Sequence, residues 1–448
     1  MWKEDSKKPM FYIMLSNSVG GAFILNQDIF LGDNCRSSEV GHIKIVPNGR
    51  KCYCGERGCV NAYCSALLLS ERCGGSLETF FEKLHDGDQE SLKVFDQYLQ
   101  YLAIAVVNTR MLYDCDVVMR RQTAPEREKD MFDVTALGEL LIDFTPCGIS
   151  AAGQRLFEQN PGGTPANVLT ALSKCGKKTA FIGKVGKDMH GSFLKSVLQE
   201  NDICTEGLVE DEGVFTTLAF VALAENGERS FSFARKPGAD TCLTAEELRK
   251  DIIGGSRIFH IGSLSLTAEP AKSATINALE IARENGCVIS YDPNYRAPLW
   301  ESREAAIEGM RSVLPYVDVM KLSDEETELL TDVADPEAAA KVLLGKGLSI
   351  VAVTLGPDGA LVCTKEGSVK VPGYQANMVD TTGAGDSFWG GFLNQLLESG
   401  KKPQEISLKE AAQFADFGNA VASLCVEKRG AIPAMPTPEE IEARREGR

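Results

Sequence analysis

From residue 133 onward, short apolar runs alternate with amphipathic stretches almost to the end of the chain, at 133–138, 180–183, 258–262, 287–291, 317–321 and 350–354. Runs apolar on both faces suit strands buried on both sides, and parallel neighbours need a long crossover, which a helix supplies. The alternation therefore predicts an α/β fold, a parallel sheet with helices on both faces. Between Thr216 and Arg235 the pattern changes to two strand-like runs around Asn226-Gly227. That dipeptide is a hairpin signal, and it predicts a small β-lid standing off the main sheet.

Open sheets of this kind bind ligands at the carboxyl ends of their strands. Polar residues collect there: Asp292, Asn294 and Arg296 after one run, Ser323 and Glu326 after another, Gly356 and Gly359 after a third. Each alone suits a turn or helix cap; their recurrence points to one crevice. The stretch Asp380-Thr381-Thr382-Gly383-Ala384-Gly385-Asp386 precedes a helical pattern over 386–398. Small residues before a helix leave backbone N–H groups free at the positive end of its dipole, which suits a phosphate. Asp386 then stands on the first turn, placed to take a proton beside the anion. The alternative is a tight turn with Asp386 as an ordinary N-cap. No Gly-x-x-x-x-Gly-Lys-Ser/Thr occurs, which excludes a P-loop.

With 448 residues the chain exceeds one ordinary core and implies two domains. Strand-like runs at 11–15 and 22–25 are followed by His42 and by Cys52, Cys54 and Cys59. Three cysteines in eight residues with an upstream histidine form a tetrahedral zinc set, structural because no position stays open. Unrelated buried thiols are the alternative. A helical pattern over 91–113 leads to a Pro-containing, charged linker at 120–130. The formal net charge of −16 argues against nucleic acid and anionic membranes as partners. No 18-residue apolar run or signal-peptide core is present, and fourteen cysteines without a secretion signal read as reduced thiols in the cytoplasm.

Several motifs carry a resemblance. Gly138-Glu139-Leu140-Leu141-Ile142-Asp143, Pro161-Gly162-Gly163-Thr164-Pro165-Ala166-Asn167, Asp292-Pro293-Asn294-Tyr295-Arg296, Lys321-Leu322-Ser323-Asp324-Glu325-Glu326 and the Asp380 stretch resemble the ribokinase-like (PfkB-type) sugar kinases, bacterial fructokinases in particular, over 131–448. The resemblance implies ATP-dependent phosphorylation of a primary hydroxyl, fructose giving fructose 6-phosphate, with Asp386 as general base and Gly383, Ala384 and Gly385 as anion hole. It implies sugar contacts from Asp143, Gly163, Asn167, Asp292, Asn294 and Arg296, with Arg235 closing over the sugar from the lid. ATP and Mg²⁺ would be held by Lys321, Ser323, Glu326, Thr354, Gly356, Gly359 and Asn419, with Glu326 reaching the metal through water. Asp380, Thr382 and Gly430 would bind a monovalent cation, K⁺. A 2-keto-3-deoxygluconate kinase is the rival within the class; an acid substrate would want an extra cation in the sugar site.

Residues 1–119 resemble the ROK family of sugar kinases and repressors through Glu39-x-Gly41-His42 and Cys52-x-Cys54-Gly55-x-x-Gly58-Cys59. The resemblance implies Zn²⁺ on His42, Cys52, Cys54 and Cys59 in a partial actin-like α+β domain. The family's first phosphate loop and catalytic aspartate have no counterpart here, and the second glycine-rich loop is altered. A structural or dimerisation role is expected, with a homodimer, or a second chain supplying the missing half; a sugar-binding or assembly module is the non-enzymatic alternative.

Overall fold

The computed structural model describes residues 10–15, 18–25, 28–30, 39–73, 77–85, 88–113, 116–121, 132–223 and 229–447. The chain forms two compact units, residues 1–128 and 129–448. Most of the expected linker, 122–130, lies outside the described residues.

The described residues of the smaller unit form four strands, β1 (Met10–Leu15), β2 (Val19–Leu25), β3 (Asp28–Ile29) and β4 (Asp116–Arg121), in the order β3-β2-β1-β4. Strands β1 and β2 pair antiparallel, whereas β4 returns parallel to β1 after the 25-residue helix Gln89–Tyr113, the crossover a parallel return needs. Phe11, Ile13, Tyr63, Phe80, Tyr98 and Leu102 form its core.

In the larger unit the strands are β5 (Phe132–Leu137), β6 (Leu141–Ile149), β7 (Arg155–Gly162), β8 (Thr179–Gly186), β9 (Ile203–Asp211), β10 (Leu218–Leu223), β11 (Arg229–Ala234), β12 (Ser256–Ile261), β13 (Val288–Tyr291), β14 (Val319–Ser323), β15 (Ile350–Thr354), β16 (Ala360–Thr364) and β17 (Gly367–Val371). Nine of them make one sheet, β17-β16-β15-β14-β13-β12-β5-β8-β9. From β9 to β15 every pairing is parallel. Side chains of a strand alternate between faces: Val351 and Val353 enter one helix-covered layer, Ile350 and Ala352 the other. The first layer holds the helices Ala271–Glu284, Arg303–Ser312 and Pro336–Gly345, and the second holds Thr164–Lys174, Ala384–Ser399 and Leu408–Cys425.

Two features depart from the sequence pattern. The sheet is mixed, because β16 and β17 are antiparallel to their neighbours. Only Lys365 and Glu366 separate them, and so short a connection joins only antiparallel strands. The lid is a four-stranded sheet, β11-β10-β6-β7, in which the expected hairpin supplies two strands and β6 and β7, which the pattern did not assign to it, supply the others. Strands β10 and β11 pair antiparallel as the pattern requires; the Asn226-Gly227 turn between them lies outside the described residues.

Candidate active site

The turn before helix Ala384–Ser399 separates two cavities. Thr381, Ala384 and Gly385 line both. Its geometry is possible only with glycine: Gly383 has φ +77°, and a Cβ there would come within 2.5 Å of the Ala431 Cβ. At Gly385 a Cβ would stand 2.8 Å from the Lys321 Nζ, so a buried ammonium lies directly against the turn.

The first cavity, about 490 Å³, lies at the carboxyl ends of the strands and under the lid. Asp143, Gly163, Asn167, Asn294, Arg296, Lys321 and Asp386 all line it, as do Asp380, Thr382 and Gly430. Asp386 is buried, and its Oδ2 accepts a 2.7 Å hydrogen bond from Asn167 Nδ2. Burial, then the nearby Asp292 charge, pushes its carboxyl up to about 6, against the pull of Lys321, Asn167 and Arg296. A carboxylate in that range is basic enough to accept a proton while remaining ionised at neutral pH. Burial likewise raises Asp143 to about 6. Asn294 Nδ2 donates to Thr164 Oγ1, which ties the loop after β13 to the helix carrying Asn167.

Lys321 departs from its expected place on the nucleotide side. Its Nζ is 2.8 Å from Asp292 Oδ2, and both side chains are buried. Burial works against the ammonium charge, but Asp292, Glu326 and Asp386 outweigh it and hold the pKa above the ordinary lysine value. Asp292 itself does not line the cavity; it secures the lysine that does. The turn before helix Ala384–Ser399 thus has a fixed cation against it.

The second cavity, about 880 Å³, is lined by Thr354, Gly356, Gly359 and Asn419, as expected, together with Tyr374, Phe388, Ala422 and Val426. Asn419 Nδ2 donates to the Val371 and Pro372 carbonyls at 3.1 and 3.2 Å. Apolar Phe388, Ala422 and Val426 beside polar groups suit a nucleobase.

Three expected contacts face elsewhere. Arg235 donates to Asp240, Thr267 and the Leu264 carbonyl at 2.8–2.9 Å and lines neither cavity. Each of its three guanidinium nitrogens is spent on an acceptor at the foot of the lid, which a sequence pattern cannot show. Glu326 accepts from the Tyr295 and Ser323 backbone N–H groups at 2.6 and 2.7 Å, and neither it nor Ser323 lines a cavity. The pair forms a capping box. Asp380 does gather its partners: Oδ1 accepts from the Thr382 N–H and hydroxyl at 3.0 and 2.7 Å, Oδ2 from Gly430 N–H at 3.1 Å.

Sequence reasoning missed Glu139, Glu158, Asn160 and Arg429 in the first cavity and Arg444 in the second. Glu139 stood inside a quoted motif without a role; Arg429 and Arg444 follow the last strand and carried no signal.

In the smaller unit, one ligand atom from each of His42, Cys52, Cys54 and Cys59 lies within 4.8 Å of the others. Cys54 and Cys59 sulfurs are 3.9 Å apart, as are Cys52 Sγ and His42 Nδ1. Tetrahedral zinc with bonds of about 2.0–2.3 Å needs ligand separations of roughly 3.3–3.8 Å, so this donor set fits the metal with small adjustment. His42 Nε2 meets Tyr53 Oη at 3.2 Å, the outer hydrogen bond that orients a ligating imidazole.

A ribokinase-like sheet with two cavities meeting at a small-residue helix N-terminus, and a buried carboxylate beside it, defines a sugar kinase. The chain belongs to the pfkB family of carbohydrate kinases, whose model matches residues 131–438. The ROK family model matches residues 2–124. Among relatives, fructokinase-2 of Oryza sativa subsp. japonica is 44% identical over 308 residues, 68% of this chain and 91% of that protein. Fructokinase-2 of Solanum lycopersicum is 43% identical over 312 residues, 68% and 94% of the two chains. The ATP-bound fructokinase of Xylella fastidiosa superposes with a TM-score of 0.63 at 30% identity, covering 71% of this chain and 99% of that one. A double-mutant fructokinase of Vibrio cholerae O395 with fructose, ADP and potassium ion gives 0.62 at 30% identity, covering 70% and 98%.

Proposed function

We propose that the larger unit transfers the γ-phosphoryl group of ATP to the primary hydroxyl of fructose, giving fructose 6-phosphate and ADP. The observation that carries this is the turn shared by the two cavities, with Asp386 facing the lid-side one. A sugar in the first cavity and a nucleotide in the second would meet there. Asp386 takes the hydroxyl proton, Asn167 holds its carboxylate in place, and the oxygen attacks phosphorus as the bond to ADP breaks. The N–H groups of Gly383 and Gly385, with Lys321, hold the negative charge of the transferred group; the expected third donor, Ala384 N–H, is instead turned to the Thr381 carbonyl at 3.2 Å. Mg²⁺ would add charge on the phosphates when bound; no step here depends on where it sits. Asp380, Thr382 and Gly430 form the candidate K⁺ site, and the potassium-bound Vibrio relative supports that choice.

A neutral polyol suits the first cavity better than an acid. Five carboxyls line it, Glu139, Asp143, Glu158, Asp380 and Asp386, against three cations, Arg296, Lys321 and Arg429. Lys321 is already paired with Asp292, and Arg429 stands 3.6 Å from Glu158. A coupled ATP-consumption assay across fructose, 2-keto-3-deoxygluconate, ribose and glucose tests the reading. Fructose is expected to have the highest kcat/KM; dominance of the keto acid would overturn it. We assign the smaller unit a structural part, stapled by zinc and outside the chemistry.

A further inference from the structure

Glu139 lies in the loop between β5 and β6, only 2% exposed, on the wall of the first cavity. Its Oε1 accepts the Thr164 backbone N–H at 2.8 Å, satisfying one free donor at the start of helix Thr164–Lys174. Its Oε2 is buried and has no hydrogen-bond partner among the described residues. Holding the helix end needs one acceptor, and a buried carboxylate oxygen left unpaired is costly. The charged groups beside it do not resolve this. Arg235 is committed to Asp240 through its Nε at 2.8 Å, and Asp240 repels a second carboxylate. A second acceptor, Oδ1 of the cavity-lining Asn167, is also buried and unpaired among the described residues, the amide nitrogen being spent on Asp386. Two buried acceptors on one cavity call for a ligand with several hydroxyl donors.

We propose that Glu139 is a sugar-specificity residue, its Oε2 accepting a hydrogen bond from a hydroxyl of the sugar other than the one phosphorylated. This rests on the reading of the first cavity as the sugar site. Burial first, and then Asp240, pushes the Glu139 carboxyl up to about 7, so an arriving hydroxyl finds the stronger, ionised acceptor increasingly as pH rises through neutrality. Chemistry at Asp386 is untouched by the change, because Glu139 touches only the bound hydroxyl and the helix end.

The test is Glu139→Gln in the full chain. The amide carbonyl can still accept from Thr164, while the ionisable acceptor is lost. The sugar KM should rise about 10–100-fold, the worth of one hydrogen bond to a charged group, with kcat, the ATP KM and Tm nearly unchanged. Monodeoxy analogues supply the signature: the analogue that wild type discriminates against most should be treated by the variant no worse than the parent sugar. An unchanged sugar KM, with or without a lower Tm, or wild-type discrimination among all the analogues, would overturn the assignment and leave Glu139 only the helix end. If the glutamine variant does not fold, Glu139→Asp is read by the same two measures. The comparison uses whichever sugar wild type phosphorylates fastest, so loss of the fructose reading would not decide this one.

Discussion

The two polar centres of this chain are assembled in opposite ways. The cysteine–histidine cluster is local: His42, Cys52, Cys54 and Cys59 are brought together by short turns, with Cys52 N–H on the Glu56 carbonyl at 2.8 Å and Ile45 N–H on the Gly58 carbonyl at 2.8 Å. The kinase centre is global: Asp143, Asn167, Lys321 and Asp386 meet only because parallel strands end on the same side of one sheet. A local cluster can be held by a metal where little core exists, since ligand bonds replace burial. A global site needs the whole sheet but no single staple. Losses at the two centres should therefore be separable, and the predictions are arranged to break that separation.

The largest effect is expected from metal removal. Structural zinc in small domains contributes roughly 10–16 kcal/mol of apparent binding energy, more than a unit with so modest a core can lose. Chelation, or Cys59→Ser, should raise hydrogen exchange across the described parts of 39–113 while leaving that of 132–447 unchanged. Metal analysis of the purified chain should find one zinc per chain. Wild-type protection in zinc-free protein would show that the cluster is only a set of thiols.

Next in size is Asp386→Asn. Removing a positioned general base costs on the order of 10²–10⁴-fold in rate, and the amide keeps the side-chain shape, so sugar KM should hold. Retention of more than a tenth of the activity with unchanged sugar affinity would remove Asp386 from the base role.

The same residue gives a smaller, pH-dependent effect of known sign. Its folded pKa of about 6 lies above the ordinary value near 4, so folding favours the protonated form. Asp386 therefore contributes stability that is present below about pH 4 and is lost as pH rises through about 6. Activity runs the other way, because the base must be ionised, and kcat/KM should fall as pH drops through 6. Thermal melts of Asp386→Asn and wild type should diverge in the variant's favour between pH 4 and 7. A constant difference would mean that burial does not perturb this carboxyl.

The contrast between local and global also explains what could be read beforehand. Residues 350–354 were legible as a strand, because Ile-Val-Ala-Val-Thr is buried on both faces and nothing else explains such a run. The clustering of His42, Cys52, Cys54 and Cys59 was legible because the four are close in sequence. Asp386 and the glycines were legible because they share one motif. Arg235, Ser323 and Glu326 line neither cavity, which residue type and nearness to a motif do not reveal, because neither shows whether a polar group faces a cavity or a buried partner. Glu326 spends both oxygens on backbone N–H groups of two loops, a fact of tertiary packing. The antiparallel edge was missed because Gly356-Pro357-Asp358-Gly359 reads equally as a ligand loop and as the start of a hairpin, and it serves as both: Gly356 and Gly359 line the second cavity while β16 begins at Ala360.

The smallest effect should come from the largest deletion. Every residue lining the two cavities lies within 129–448. The match to the rice fructokinase spans 91% of that protein while using only 68% of this chain. A complete kinase of this family therefore does without a counterpart of residues 1–128. Residues 129–448 alone should keep kcat and both KM values within about threefold of the full chain, the scatter expected when no interaction made in the transition state has been removed. The informative failure would be selective. A rise in sugar KM with kcat preserved would mean that the ROK-like segment takes part in sugar binding after all. A fall in kcat with KM preserved would mean that it orders the turn at Gly383, and the separation between the local and the global centre would have to be given up.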